Sequence, residues 1–301
     1  WGCGKFKPSS TRRTIRKFRI MNYRNIINKG ALILKKNSIL TANLDAEILL
    51  SISLNQSREK ILLNLEKKLN VNQIKYYNEL IKRRKKKEPI SFIAEKKFFW
   101  KFEFIVNKNI LTPRFETEFL VEEILKIYKF KTKLNVLDIG LGSGCILISL
   151  LKEQNSWQGV GIDISSFAIK TAKTNAKIQQ VQNRIKFINS DIDKFSSAKY
   201  DLIVSNPPYI NKIAYNNLDL GVKDYEPKIA LYGGIDGYRI IEKVINKSKI
   251  ILKNNGLLAM EIGYGQYYKV SELLKKNGFY IMKTIKDYQN IKRCLIAKKV
   301  K

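Results

Sequence analysis

From Leu134 onward the chain alternates short apolar runs with amphipathic segments, and this alternation constrains the fold more than any other feature. Alternating β and α units predict an α/β fold with a largely parallel, doubly wound sheet. The apolar runs predict strands at residues 135–139, 158–163, 185–189, 200–205, 256–262, 279–285 and 292–298. The segments between them predict helices at about 145–153, 165–178, 237–252 and 267–276.

The residues before this alternation have a helical periodicity. From Met21 to about Lys87, apolar side chains recur at a spacing of three or four residues. This spacing predicts a small bundle of four or five helices. We expect Asn43 or Asp45, and also Ser57, to act as N-caps in this bundle.

A short aromatic stretch connects the two regions. It alternates aromatic and polar residues, and this places on one face Phe98, Trp100, Phe102, Phe104 and Val106. The alternation predicts one or two strands that form a β-hairpin linker. Thr112 or Thr117 is expected to cap the helix that follows. The predicted domains are a helical bundle at 21–94, a hairpin linker at 95–112 and an α/β domain at 113–301.

The chain is strongly basic, with a net charge of +31 from 57 Lys and Arg against 26 Asp and Glu. Such an excess indicates contact with nucleic acid, a ribosome or an acidic protein. The chain is also crowded with Lys, Asn and Ile, and an A/T-biased codon composition explains the charge slightly better. The basic run Lys82–Lys87 is typical of a solvated helix end, and phosphate contact is the alternative.

Cysteine and histidine usage excludes several kinds of site. The three cysteines are far apart and the chain has no histidine, which excludes a histidine general base and the common zinc sites. We therefore expect no metal, and a reducing, cytoplasmic setting. The longest apolar run near the centre, Cys145–Leu151, has seven residues, too few to span a membrane. We expect a monomer with no membrane partner.

Residues 1–20 carry seven basic and no acidic residues, and the chain begins at Trp1. We interpret this segment as an upstream extension or a disordered basic arm. The alternative is a transit peptide, which would give a mitochondrial rather than a bacterial cytoplasmic location.

A glycine-rich loop follows the first predicted strand of the α/β region. Its pattern is Asp-x-Gly-x-Gly-x-Gly, and its residues are Asp138, Gly140, Leu141, Gly142, Ser143 and Gly144. Glycines let the backbone approach a ligand closely, but dinucleotide enzymes use a similar strand–loop–helix. The carboxylate of Asp138 would repel a pyrophosphate and can meet a sulfonium or ammonium group. The loop therefore favours S-adenosylmethionine over NAD.

Three residues at the ends of the next two predicted strands extend this candidate cofactor site. Asp163 ends the second strand, where a carboxylate can accept hydrogen bonds from a ribose diol. Asp191 follows the third strand and either accepts from the adenine amino group or caps a helix. Ile192 offers an apolar wall to the adenine ring.

The strand predicted at 200–205 leads directly into Asn206-Pro207-Pro208-Tyr209. In open α/β sheets, ligands bind outside the carboxyl ends of the strands. Two prolines stiffen the turn and remove two donors, so nearby carbonyls can accept from a ligand. The Asn side chain and the Tyr ring can grip a planar NH2-bearing group, as an amino-group methyltransferase requires.

These motifs occur in order with four further stretches, which are Glu88-Pro89-Ile90, the segment Thr112–Glu118, Tyr225-Glu226-Pro227 and the segment Gly233–Gly237. Over residues 21–298 the chain thereby resembles the peptide chain release factor glutamine N5-methyltransferase family, known as HemK or PrmC. The resemblance implies a helical bundle, a β-hairpin linker and a Rossmann-like methyltransferase domain with a seven-stranded sheet. It also implies methylation of the glutamine amide in the Gly-Gly-Gln loop of bacterial-type release factors.

The resemblance also implies residue roles. Gly140–Gly144, Asp163, Ile192 and Asn206 would line the S-adenosylmethionine site, and Asn206–Tyr209 would hold the glutamine. As catalytic residues, Asn206 Oδ1 and the Pro207 carbonyl would accept the amide N–H groups, and Tyr209 would pack on the amide plane. The chain departs from the family pattern in two ways. Phe115 replaces an expected proline, and Ile192 replaces a tryptophan that some members carry.

Two other functions use the same motifs. A nucleic-acid methyltransferase acting on an exocyclic amine of adenine or guanine needs the same tetrapeptide, and the positive charge favours it. A non-catalytic RNA- or ribosome-binding module on the same fold is the second alternative, and the intact glycines and Asn206 argue against it.

Overall fold

A computed structural model describes residues 21–197 and 199–300. The predicted basic arm at 1–20 lies outside the described residues. By its internal contacts the chain divides into two units, with the division between Lys85 and Lys86. We describe each unit by itself.

The first unit is helical. Its helices are α1 (Tyr23–Lys35), α2 (Ala42–Leu54), α3 (Arg58–Leu62) and α4 (Val71–Lys85). Their apolar stripes bury a core that includes Ile26, Leu34, Leu49, Leu50, Ile61 and Leu80. Helical periodicity produces this core because residues three and four apart share one face of a helix.

One of the predicted caps of this unit forms and the others do not. Ser57 caps α3 and accepts a hydrogen bond from the backbone N–H of Lys60. The prediction for Asn43 and Asp45 is wrong, because α2 begins one residue after Thr41 and both lie inside the helix. Asp45 instead accepts from Arg84 Nε at 2.7 Å, so one residue of the predicted solvated basic run is paired.

The second unit opens with a short helix and a hairpin. These are α5 (Ile90–Ile93), β1 (Lys96–Phe99) and β2 (Phe102–Ile105), and the strands pair antiparallel. The predicted common face is wrong for Phe98, which is 68% exposed, and Phe99 is buried in its place. The reason is the turn, where Trp100 has a positive φ of 58°. Phe99 therefore pairs with Phe102 and shares its face.

The predicted seven-stranded, mostly parallel sheet forms in full. Its strands are β3 (Asn135–Ile139), β4 (Gln158–Asp163), β5 (Ile185–Asn189), β6 (Tyr200–Ser205), β7 (Leu252–Glu261), β8 (Phe279–Lys286) and β9 (Lys292–Lys299). Their order is β5-β4-β3-β6-β7-β9-β8. The first five in this order are parallel, and β9 runs antiparallel to both β7 and β8.

Helices cover both faces of the sheet. They are α6 (Phe115–Ile127), α7 (Cys145–Glu153), α8 (Ser166–Ile178), α9 (Lys212–Asn216), α10 (Leu220–Lys223), α11 (Lys228–Leu231), α12 (Arg239–Ile251) and α13 (Tyr267–Lys276), with a 3-10 turn at Gln182–Arg184. Neighbouring strand residues enter opposite cores: Val136 packs with α6, α7 and α8, and Leu137 packs with α12 and α13. Burial on both faces explains why these strands read as continuous apolar runs.

Two predictions near the helices need correction. Neither Thr112 nor Thr117 caps α6, which begins after Arg114, and Thr117 lies in its first turn. The three short helices α9, α10 and α11 have no predicted counterpart, since each has only four or five residues and is too short for a periodic pattern.

The strand order reverses between β3 and β6. From β3 the chain continues outward to β4 and β5 on one side, and then returns to β6 and β7 on the other. The carboxyl ends of β3 and β6 therefore lie side by side at a topological switch point, where open α/β sheets bind their ligands.

Asn175 of α8 joins the hairpin to the glycine-rich loop. Its side chain accepts from Ile105 N–H at 2.7 Å, and it donates to the carbonyls of Ile105 at 3.1 Å and Ser143 at 2.9 Å. The residue is buried, so these groups have little access to water.

We predict that Asn175→Ala lowers the free energy of unfolding by about 3 kcal/mol, because buried partners are left unsatisfied. Urea denaturation measures this change. Gln179→Ala is the matched control, since Gln179 makes one such bond, to the carbonyl of Glu103. Equal losses in the two variants would contradict the linking role.

Candidate functional site

A cavity of about 420 Å³ lies at the switch point. The loops after β3, β4, β5 and β6 line it, together with the segment before α6 and the start of α12. Ten of the residues predicted for the site line the cavity: Gly140, Leu141, Gly142, Ser143, Asp163, Asp191, Ile192, Asn206, Pro207 and Pro208. Asp138, Gly144 and Tyr209 are not among the lining residues.

The glycine-rich loop needs its glycines for conformational reasons. Gly140, Gly142 and Gly144 have positive φ values of 78°, 55° and 80°, a region that other residues rarely adopt. The N–H groups of Gly140 and Leu141 both donate to the carbonyl of Ile162 at 3.0 Å. The loop is thus held against β4 with its backbone at the cavity wall.

Asp163 connects the loop to the end of β4. Its two carboxylate oxygens accept from the N–H groups of Gly142 at 2.9 Å and Ser165 at 2.8 Å. Burial raises the pKa of Asp163, and the two hydrogen bonds oppose this increase. A carboxylate has about four acceptor positions, so these two bonds leave capacity for a ribose diol in the cavity.

Asp191 and Ile192 form the neighbouring wall. Asp191 Oδ1 accepts from the N–H of Asp193 at 2.8 Å. The chain forms a turn here and not a helix, so the alternative of a helix N-cap does not apply. Ile192 is half-buried against the core under α12, and its side chain can serve as an apolar surface for a flat ring.

Asp138 has an unusual environment for a carboxylate. It is 1% exposed, and neither oxygen has a hydrogen-bond partner among the residues that the structure describes. Burial raises the pKa of Asp138 well above its usual value, the backbone of Leu147 opposes this increase, and the nearby Asp163 adds to it. Asp138 does not line the cavity, and its predicted contact with a cationic ligand stays a prediction.

Asn206 has one side of its amide held and the other available. Its Nδ2 donates to Glu261 Oε2 at 2.9 Å and to Thr117 Oγ1 at 3.1 Å. Both acceptors lie on the Nδ2 side of the amide, and Oδ1 remains as an acceptor. Tyr209 is held by the same carboxylate, since its hydroxyl donates to Glu261 Oε1 at 3.2 Å.

Gly233 and Gln266 hold the backbone of the Asn-Pro-Pro-Tyr turn. A Cβ at Gly233 would lie 2.6 Å from the Pro208 carbonyl oxygen and 2.8 Å from Tyr209 Cα. Gln266 Nε2 donates to the carbonyls of Tyr209 at 3.1 Å and Gly237 at 3.2 Å. Only glycine at position 233 allows this close approach.

Sequence reasoning missed Glu261 and Gln266 as parts of the site. A signal for Glu261 was present, because a charged residue near the end of a predicted apolar strand at 256–262 lies at the same sheet edge as Asn206. Gln266 offered no such signal, since it lies beyond the strand in a loop.

An ion pair joins two of the segments that line the cavity. Arg114 Nη2 lies 2.7 Å from Glu226 Oε2, and the Glu226 side chain is buried. Burial raises the pKa of Glu226, and Arg114 opposes this increase. The pair ties the segment before α6 to the segment before α11, and both segments line the cavity.

The sheet, the glycine-rich loop and the Asn-Pro-Pro-Tyr turn together define an S-adenosylmethionine-dependent methyltransferase. The chain matches the family model "Methyltransferase small domain" over residues 115–219 and the "PrmC N-terminal domain" over residues 25–94. Release factor glutamine methyltransferases from Caulobacter vibrioides and Clostridium acetobutylicum are each 36% identical, over 88% and 92% of this chain and 92% and 98% of theirs. The chain belongs to the release factor glutamine methyltransferase family.

Other similarities cover less of the matching protein or have lower identity. A bifunctional methyltransferase of Rickettsia bellii is 36% identical over 89% of this chain and 53% of its own length. Among solved structures, a ribosomal protein L11 methylase from Lactobacillus delbrueckii has a TM-score of 0.48 and 20% identity, covering 64% of this chain and 82% of that one. Within the described residues, no helix has the length and apolar character to cross a membrane.

We predict that Asp138→Asn raises the unfolding temperature near neutral pH and weakens its pH dependence. The folded state binds this proton more tightly than the unfolded state, whose pKa is near 3.8. The free energy of unfolding therefore falls as the pH rises from about 4 through the folded pKa. Thermal unfolding from pH 4 to 8 measures it, with the exposed Asp224→Asn as the control. Identical profiles for Asp138→Asn and the wild type would contradict the prediction.

Proposed function

We propose that the chain transfers a methyl group from S-adenosylmethionine to the side-chain amide nitrogen of the glutamine in the Gly-Gly-Gln motif of peptide chain release factors. Family membership supports this substrate. The observation that carries the chemistry is Asn206, whose Nδ2 donates to Glu261 and Thr117. Its Oδ1 is left to accept from a planar NH2 group in the cavity.

Positioning of the glutamine amide is the main task of the site. An amide nitrogen is a poor nucleophile because its lone pair is delocalised into the carbonyl. Asn206 Oδ1 and the Pro207 carbonyl each accept one N–H and so direct the nitrogen. Tyr209, which does not line the cavity and so does not fit its predicted packing on the amide plane, holds the turn through its hydrogen bond to Glu261. Positioning of this kind can lower a barrier by roughly 7–11 kcal/mol.

The opposite side of the cavity holds the cofactor in this proposal. The backbone of Gly140–Gly144 approaches it closely, and the carboxylate of Asp163 accepts from its ribose. Asp191 accepts from the adenine amino group, and Ile192 packs on the ring. When bound there, S-adenosylmethionine would supply an electrophilic methyl group on a sulfonium, and the thioether would be the leaving group. No side chain is assigned as a base, and the nitrogen loses its proton to water.

An aromatic surface beside the cavity mouth supports a protein substrate. Phe115 lies between Arg114 and Thr117, which line the cavity. It stacks on Tyr288 with ring centroids 5.8 Å apart, and Tyr288 is 84% exposed. Exposed aromatic side chains of this kind are typical anchors of protein interfaces. Phe115, one of the two departures from the family pattern, thus contributes to this surface.

The oligomeric state, the location and the domain bounds are proposals as well. We infer a monomer in the bacterial cytoplasm, with a helical domain at 21–94, a hairpin linker at 95–112 and a methyltransferase domain at 113–301. A mitochondrial location depends on residues 1–20, outside the described residues. Contact of the basic surface with RNA or the ribosome follows only from the net charge of +31.

Methyl transfer from labelled S-adenosylmethionine to a purified bacterial release factor tests the function, beside a factor with Gln→Ala in its Gly-Gly-Gln loop and total RNA. We expect label on the wild-type factor alone. Label on RNA would favour an exocyclic-amine methyltransferase instead. Cofactor binding without transfer to either substrate would contradict both activities.

We predict that Asn206→Ala abolishes turnover and leaves the affinity for S-adenosylmethionine within about tenfold, roughly 1.4 kcal/mol. The variant loses the acceptor for the substrate amide and keeps the glycine-rich loop and Asp163. Calorimetric binding and methyl-transfer assays measure the two effects. Asn217→Ala, the same change at an exposed asparagine near the end of α9, is the control. Wild-type turnover in Asn206→Ala would refute the mechanism.

We predict that Tyr288→Ala raises the KM for the release factor about tenfold, roughly 1.4 kcal/mol, with little change in kcat. The aromatic surface contacts the substrate away from the reacting nitrogen, so its loss weakens binding only. Tyr280→Ala is the control, because Tyr280 is exposed on β8 and lines no part of the cavity. An unchanged KM in Tyr288→Ala would exclude this surface.

A further inference from the structure

One buried carboxylate receives three hydrogen bonds behind the Asn-Pro-Pro-Tyr turn. Glu261, the last residue of β7, is 2% exposed. Its Oε2 accepts from Asn206 Nδ2 at 2.9 Å and also from the Thr117 hydroxyl. Its Oε1 accepts from the Tyr209 hydroxyl at 3.2 Å. Among the residues that the structure describes, the hydrogen-bond donors to this carboxylate belong to the turn or to the first turn of α6.

The sheet register explains why Glu261 meets Asn206. Strands β6 and β7 are parallel neighbours, and Ser205 pairs with Met260. Asn206 and Glu261 each follow a member of this pair by one residue. Side chains at equivalent positions on neighbouring parallel strands point to the same side, about 4.8 Å apart along the hydrogen-bonding direction. The first turn of α6 packs across them and adds Thr117.

This arrangement distinguishes the two sides of the Asn206 amide. In the reverse orientation Oδ1 would face the oxygens of Glu261, and two acceptors would be buried against each other without a proton between them. Such contacts cost free energy because both groups lose their hydrogen bonds. The Nδ2 group has no lone pair to accept with, so it can only donate. The preferred orientation turns Oδ1 toward the cavity.

Thr117 closes a ring of three hydrogen bonds. Its hydroxyl donates to Glu261 and accepts from Asn206 Nδ2 at 3.1 Å, while Asn206 donates directly to Glu261. A ring of this kind restricts both the rotation of the Asn206 side chain and the exchange of its O and N positions. Thr117 also lines the cavity, so the ring lies directly at the site.

We propose that Glu261 and Thr117 are positioning residues that fix the Asn206 amide with Oδ1 directed at the substrate amide. The inference rests on the proposed function, since it assigns the substrate contact to Asn206. Neither residue is asked to contact the transferred methyl group or to accept a proton. Their effect is on the geometry of the reacting complex and not on binding.

The first test uses Glu261→Gln, which has the same shape but places a donor among three donors. We expect kcat to fall about a hundredfold, as a misplacement of about 1 Å can cause. The KM for the release factor and the Kd for S-adenosylmethionine should stay within about threefold, since ground-state binding is unaffected. Steady-state kinetics and calorimetry give the three constants.

The second test uses a matched set of threonine variants. Thr117→Val keeps the shape and removes the hydroxyl, and should lower kcat at unchanged KM. Thr117→Ser keeps the hydroxyl and should restore most of the wild-type kcat. Thr171→Val applies the same change to a buried threonine that lines no part of the cavity, and should leave kcat unchanged. In the double variant that combines Thr117→Val with Glu261→Gln, the decrease in kcat should be close to the larger of the two single decreases, because both residues act through Asn206.

The possible failures are distinguishable. A wild-type chain that binds S-adenosylmethionine but does not methylate the release factor would overturn the proposed function. An active wild type with unchanged kcat in Glu261→Gln and Thr117→Val would overturn only the positioning role. A Kd for the cofactor that rises as kcat falls, an unfolding temperature that falls with kcat, or additive losses in the double variant would indicate a structural role and would also overturn it.

Discussion

The parallel pairing of β3 with β6 is the constraint on which the site depends. Ile139 and Ser205 end these strands in register, and the Ser205 hydroxyl donates to the Ile139 carbonyl at 2.7 Å. The glycine-rich loop leaves one strand and the Asn-Pro-Pro-Tyr turn leaves the other. The glycine-rich loop and the Asn-Pro-Pro-Tyr turn therefore line one cavity because the two strands are neighbours.

Three buried carboxylates lie close to residues that line this cavity. Glu261, Asp138 and Glu226 are all carboxylates with little exposure, and burial raises the pKa of each. Two of them are compensated, Glu261 by three donors and Glu226 by Arg114. Asp138 is not, within the described residues. Buried carboxylates cost stability. Enzymes of this family must orient an amide and bind a cationic cofactor, and buried carboxylates can serve both purposes.

Much of the architecture was predictable because strands buried on both faces leave unbroken apolar runs. The helices at Cys145–Glu153 and Tyr267–Lys276 lie where the sequence predicts them. Predictions failed where one residue changes the phase, as at Trp100 in the hairpin turn, and where helices are too short for a period, as in α9 to α11. The predicted caps at Asn43 and Thr112 do not form. Several polar residues near a helix start are equally suitable as caps, and the sequence does not distinguish among them.

The sequence by itself determined the α/β fold, the glycine-rich loop, the acid at the end of β4 and the Asn-Pro-Pro-Tyr turn, because these depend on local patterns and residue chemistry. The tertiary structure alone decided how the Asn206 amide is held. That arrangement depends on Thr117 and Glu261, which lie 89 and 55 residues away in the chain. Strand register and helix packing bring them together, and neither is encoded in the spacing of any motif.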